Sequence, residues 1–75
     1  MAQAEVYARI RLVPANEWFA ISGWAKETGN LAPWQRSLAY SLGRLAAQNK
    51  EPSTKQAQQG QKILEEVRRL GFRMN

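Results

Sequence analysis

The sequence contains no cysteine, no histidine and no aspartate. Without these residues the chain lacks the usual nucleophile and base pairs, the nitrogen and sulfur ligands of zinc, and the side chain that titrates near neutral pH. The absence of cysteine also excludes disulfide bonds. We therefore expect a protein that is not an enzyme and that holds no metal and no other cofactor.

Long apolar runs are also missing, since no stretch approaches the roughly 20 apolar residues that span a bilayer. The first residues do not combine a basic region with an apolar run and a cleavage site, as a secretory signal would. We therefore expect a cytoplasmic protein that makes no use of a membrane. Its 75 residues suit one small domain, in which residues 1–5 are expected to be disordered.

Residues 6–13 alternate between apolar and polar side chains, which is typical of a half-buried strand that ends at Pro14. An unpaired strand needs a partner, so a homodimer through this segment is one expectation. A helix is the alternative. It would align Val6, Ile10 and Val13 and leave Leu12 outside.

Three helices are predicted to follow, over residues 17–28, 33–49 and 54–70. Asn16 is a favourable N-cap for the first, and Gly29 is the residue type that ends a helix. Pro33 suits the first turn of the second. Ser53 and Gln56 form a capping box for the third, which Gly71 ends.

The apolar residues of the second and third helices recur at three- and four-residue spacing. This pattern predicts an antiparallel hairpin with Trp34 in the core. Gly60 lies on the apolar stripe of the third helix and predicts a close crossing over Trp18 or Trp34. The expected fold is mainly α, with three helices, a hairpin of helices 2 and 3, and a short extended N-terminal segment.

The opposite face of the second helix carries Arg36, Tyr40, Gly43, Arg44 and Ala47. Together with a formal net charge of +5, this face favours an anionic partner. Arginines could contact phosphates while the phenol contacts a base or sugar. The alternative is a solvated helix face with no partner. The predicted nucleic-acid-binding residues are Arg36, Tyr40, Arg44, Lys55, Lys62 and Arg69, and we expect DNA rather than RNA.

A second functional class, a protein-interaction or inhibitor module, uses other residues. Phe19 falls off the apolar stripe of the first helix, so it either packs under the N-terminal segment or anchors an interface. The small residues of the second helix would admit a partner backbone. The predicted protein-interaction residues are Phe19, Gly43, Ala47, Tyr7 and Arg9.

Glu65 and Glu66 are adjacent carboxylates, but neighbours on a helix diverge by about 100° and cannot flank one substrate atom. Glu65 stands four residues before Arg69, and Lys62 stands four before Glu66. This spacing predicts two surface ion pairs on the third helix.

About two-thirds of the chain resembles a short helical module of mobile-element and phage-defence proteins, including proteins of the abortive-infection type. The pattern is W-x-K, then L-x-x-W-x-R, then P-S-x-K-Q, and a final G-F. The matching residues are Trp24, Lys26, Leu31, Trp34, Arg36, Pro52, Ser53, Lys55, Gln56, Gly71 and Phe72. The resemblance implies association with a larger DNA-processing or defence protein, and it leaves open whether the chain is a whole protein or part of one.

Overall fold

The computed structural model of the protein describes residues 8–72, in which three long helices are present and no strand occurs. We name the helices α1 (Ala15–Thr28), α2 (Pro33–Ala47) and α3 (Thr54–Arg69). The mainly helical fold expected from the sequence is confirmed.

A short helical turn precedes α1 at residues 8–12, which we call the N-terminal helical segment. An extended conformation was expected for residues 6–13, and for residues 8–12 this prediction is wrong. Residues 6 and 7 lie outside the described part of the chain. The helical alternative fits the burial, since Ile10 is 4% exposed and Val13 is 8% exposed, whereas Leu12 is 81% exposed. Burial of Ile10 and Val13 together requires helical spacing.

The N-terminus of α1 differs from the sequence prediction, whereas the N-terminus of α3 agrees with it. α1 begins at Ala15, so Asn16 lies inside its first turn and is not the N-cap. The extended residue Pro14 takes that place, and its carbonyl accepts from the Glu17 amide at 3.0 Å. The capping box of α3 is confirmed: the Ser53 hydroxyl accepts from the Gln56 amide at 3.1 Å, and Gln56 Oε1 accepts from the Ser53 amide at 2.8 Å.

Left-handed residues end all three long helices. Gly29 has φ 72° after α1, and Gly71 has φ 101° after α3. Both helices therefore end at the glycines where the sequence predicted their ends. α2 ends earlier than expected because Asn49, with φ 56°, leaves the helix. The Lys50 amide then bonds back to the Leu45 carbonyl at 2.9 Å. Asparagine tolerates this conformation better than most residues, which explains the earlier stop.

The core contains residues from every helix of the described chain and includes no buried polar or charged residue. Trp18 and Ile21 of α1 and Ile63 of α3 are fully buried. The Trp24 and Phe72 rings meet edge to face with centroids 5.3 Å apart. This contact packs the residues that follow α3 against α1. Burial of large side chains of this kind is the main stabilising contribution in a domain of this size.

Gly60 marks the place where four parts of the chain meet. A Cβ atom there would lie 2.8 Å from Leu42 Cδ1, 3.3 Å from Ile10 Cδ1 and 3.4 Å from Trp18 Cη2. Close packing at Gly60 is therefore confirmed, but the nearest atom belongs to Leu42 of α2, while Trp18 lies at ordinary contact distance and Trp34 is not among the three nearest neighbours.

α1 and α2 make the more extensive contact, while α2 and α3 touch at fewer positions. The antiparallel course of α2 and α3 stays a prediction. None of the described helices has the length and apolar composition needed to cross a membrane.

Candidate nucleic-acid interface

α2 is the only one of the three named helices that contains no acidic residue. Its outward side carries two arginines, two serines and two aromatic rings. We call this set the α2 surface: Trp34, Arg36, Ser37, Tyr40, Ser41 and Arg44. Arg36 is partly buried and the other five are exposed. The combination of guanidinium groups with exposed rings is the one that contacts phosphates and stacks on bases.

The two neighbouring helices leave most of this side of α2 exposed. Phe19 of α1 packs on Gly43, which is buried, and Gly60 of α3 lies against Leu42. Trp34 lies more than two turns before Leu42 and remains 55% exposed. The expectation that Trp34 packs in the core is wrong, because α3 forms only one wall of an open groove beside this ring and does not cover it.

Phe19 of α1 lies against α2 at Gly43. A Cβ atom at Gly43 would fall 2.6 Å from Phe19 Cε1, so the ring occupies the space that a side chain would fill. The Phe19 and Tyr40 rings are tilted by 54° with centroids 5.3 Å apart, a geometry that aromatic pairs favour. Phe19 thus supports one side of the Tyr40 ring, while Tyr40 stays 46% exposed.

This contact changes the surroundings of the predicted protein-interaction residues. Phe19 packs on Tyr40 and Gly43 of α2 and remains 40% exposed. Gly43 is buried beneath it and is not open to a partner, whereas Ala47 and Arg9 are exposed. Tyr7 lies outside the described residues.

Lys55 extends the α2 surface onto α3. A groove of about 490 Å³ runs between the start of α2 and the start of α3, and Trp34 and Lys55 both line it. The remaining lining residues are Leu38, Ser53, Gln56 and Gln59. One exposed ring and one ammonium group therefore share this groove.

Lys62 and Arg69 are exposed on α3 and lie one and two seven-residue steps beyond Lys55. Each step is about 10 Å along a helix. Neither of these two residues lines the groove beside Trp34. Of the six predicted nucleic-acid-binding residues, the structure brings Arg36, Tyr40, Arg44 and Lys55 to the α2 surface or its border.

Arg69 is already paired. Its Nε donates to Glu66 Oε1 at 3.0 Å and its Nη2 to Glu66 Oε2 at 2.7 Å. These hydrogen bonds, with a smaller charge attraction, hold the pKa of the Glu66 carboxyl below its usual range. The predicted pairing of Arg69 with Glu65 is wrong, because the bidentate geometry is reached at three-residue spacing.

A second basic concavity lies on the α1 side of α2. We call it the basic recess; it has a volume of about 280 Å³ and is lined by Ser22, Lys26, Pro33, Arg36, Ser37 and Tyr40. The Ser22 hydroxyl donates to the Arg36 carbonyl oxygen at 3.3 Å and ties the two helices together at this point. Sequence reasoning missed Lys26 and Ser22 as neighbours of Arg36 because that proximity depends on how α1 packs on α2.

No group of three or more carboxylate, imidazole or thiol side chains among residues 8–72 is arranged to hold a metal ion. Comparison with protein-family models, with curated protein sequences and with solved structures finds no match to this chain. The similarity to mobile-element and phage-defence proteins therefore stays a prediction.

Proposed function

We propose that this protein is a non-catalytic module that binds single-stranded nucleic acid through the α2 surface. The observation that carries the proposal is the exposure of Trp34 and Tyr40 on a helix with two arginines and no acid. Stacking on exposed rings contributes about 1–3 kcal/mol per base and tolerates any sequence. Paired bases in a duplex cannot reach such rings, which is why single strands are preferred.

The expected partner is DNA, and the family resemblance supports a role beside a larger DNA-processing or phage-defence protein in the cytoplasm. The protein-interaction alternative has fewer supporting observations. Gly43 is covered by Phe19, and residues 8–12 are helical where a free strand edge was expected. For this reason we propose no second function.

Fluorescence anisotropy with a labelled oligothymidylate of about ten nucleotides, within the usual site size of such modules, tests this proposal. Tyr40→Leu removes a stacking ring while keeping an apolar side chain beside Phe19, and we expect about tenfold weaker binding. Arg44→Gln removes one phosphate contact and should weaken binding about threefold or more at low salt.

Lys62→Gln is the matched control, because it removes one exposed positive charge from α3 at a residue that lines neither the groove beside Trp34 nor the basic recess. We expect it to change the affinity by less than about twofold. Blunt duplex DNA of equal length should bind more weakly than the single strand. The proposal is wrong if no oligonucleotide binds at low salt, or if Lys62→Gln weakens binding as much as Arg44→Gln does.

A further inference from the structure

The basic recess collects hydrogen-bond donors from two helices. Lys26 comes from α1, and Arg36, Ser37 and Tyr40 come from α2. Its lining includes no carboxylate. A cavity with a guanidinium, an ammonium and two available hydroxyl groups is suited to an anion with several acceptor oxygens.

The Ser22 hydroxyl has a different role, because its proton is already used. It donates to the Arg36 carbonyl, so it positions that turn of α2 rather than binding an anion. Lys26 stands four residues after Ser22 and therefore lies on the same face of α1. This placement keeps the Lys26 and Arg36 side chains on either side of the same recess.

Arg36 supplies an independent observation. Its Nε is shielded from solvent and has no hydrogen-bond acceptor among residues 8–72. A shielded, unpaired N–H on a charged group is unfavourable, and such groups are normally paired in folded proteins. An anion held in the recess lies beside this guanidinium and is attracted by its charge, although the shielded Nε itself is not the atom that the anion contacts.

We propose that the basic recess binds a phosphate group of the nucleic acid, while the Tyr40 ring contacts the adjoining base. This inference rests on the proposed function. Phosphate fits better than a carboxylate because it offers more acceptor oxygens to the four donor side chains. Tyr40 belongs both to the recess lining and to the α2 surface, so it joins the two parts of the site.

The test follows the arginine Nε–Hε signals of the whole chain by NMR, with inorganic phosphate replacing chloride at constant ionic strength and pH. We expect a saturable shift of the Arg36 signal. Lys26→Gln should weaken that binding about threefold to tenfold, because one charged donor is lost. Lys62→Gln, an equal change of charge outside the recess, should leave it unchanged. Both lysines are exposed, so neither variant is expected to perturb the fold.

A second arm repeats the titration with the oligothymidylate. Displacement of bound phosphate by the oligonucleotide, with weaker binding of both in Lys26→Gln, supports the inference. If phosphate binds but the oligonucleotide does not, the recess holds a free anion. The proposal that this phosphate group belongs to a nucleic acid is then wrong, and so is the proposed function. If the oligonucleotide binds equally well to Lys26→Gln and phosphate gives no saturable shift, the recess proposal is wrong and the proposed function stands. If neither binds, both are wrong.

Discussion

At the scale of single residues, side-chain geometry decides which charges remain available. Arg69 and Arg44 are both exposed arginines on helix surfaces. Arg69 gives two hydrogen bonds to Glu66, whereas α2 contains no carboxylate with which Arg44 could pair. A bidentate partner makes Arg69 the poorer phosphate contact, because binding would first have to break that pair.

The Glu66–Arg69 pair predicts a dependence on pH. The pKa of Glu66 is lowered in the folded protein, so the pair's contribution to stability is fully present above the pKa of the unfolded carboxyl. It is lost as the pH falls through the lower, folded pKa. An NMR titration of the Glu66 carboxyl carbon should give a lower pKa in the wild type than in Arg69→Gln.

Arg68→Gln is the control for this titration, since it removes a neighbouring charge and keeps the pair. Its Glu66 titration should follow that of the wild type. Equal Glu66 titrations in the wild type and in Arg69→Gln would contradict the account.

Sequence reasoning was most successful for the capping signals at helix ends. The Ser53–Gln56 box and the glycines at 29 and 71 act within one turn, so their outcome needs no knowledge of the fold. It failed for Asn16, which was predicted to cap α1, and for Asn49, which was predicted to be the last residue of α2. The Pro14 carbonyl takes the capping place at one end, and Asn49 itself becomes the left-handed residue at the other.

At the scale of the helices, small residues of α2 allow α1 to pack closely against it. Ala39 and Gly43 are buried, and the Phe19 ring fills the space above Gly43. The sequence reasoning assigned Gly43 and Ala47 to a partner protein and put Trp34 in the core, whereas Gly43 is buried under Phe19 and Trp34 is exposed. Helical periodicity correctly identifies two faces of α2, but it does not say which neighbour covers each face. The exposed site therefore depends on the α1–α2 contact, which the sequence pattern did not predict.

The Phe19–Gly43 contact predicts coupling between two substitutions. Alanine is a better helix residue than glycine by about 1 kcal/mol. In the wild type, Gly43→Ala forces the Phe19 ring away and loses its contact with Tyr40, which contributes about 0.5–1.5 kcal/mol. Gly43→Ala should therefore be neutral or destabilising in the wild type but stabilising by about 1 kcal/mol in Phe19→Ala. Urea unfolding of the four proteins measures this difference.

Gly23→Ala provides the control, because among residues 8–72 no atom beyond the adjoining residues and the backbone of the same helix lies within 4 Å of the added Cβ, and the site is an exposed helix interior. It should stabilise both backgrounds equally, by about 1 kcal/mol. If Gly43→Ala behaved as Gly23→Ala does in the wild type, the close packing of Phe19 on Gly43 would be disproved.

At the scale of the whole molecule, the excess positive charge is unevenly distributed. α1 has Lys26 with two glutamates and a net charge of −1, whereas α2, with two arginines and no acid, and α3, with four basic residues and two glutamates, each carry +2. Lys26 and Lys55 adjoin α2 from the basic recess and from the groove beside Trp34. This region differs from the rest of the basic surface because it combines basic side chains with exposed aromatic rings, which favours an anionic partner with bases.

Binding of single strands to this surface is tested by the dependence of oligothymidylate affinity on salt. Three or four phosphate contacts by Lys26, Arg36, Arg44 and Lys55 predict a slope of log affinity against log salt of about −2 to −3. Between about 50 and 200 mM potassium chloride, the affinity should fall about 15- to 60-fold while binding remains detectable, because stacking is not screened. Absence of binding at the lower concentration, or an affinity that does not change with salt, would contradict the account.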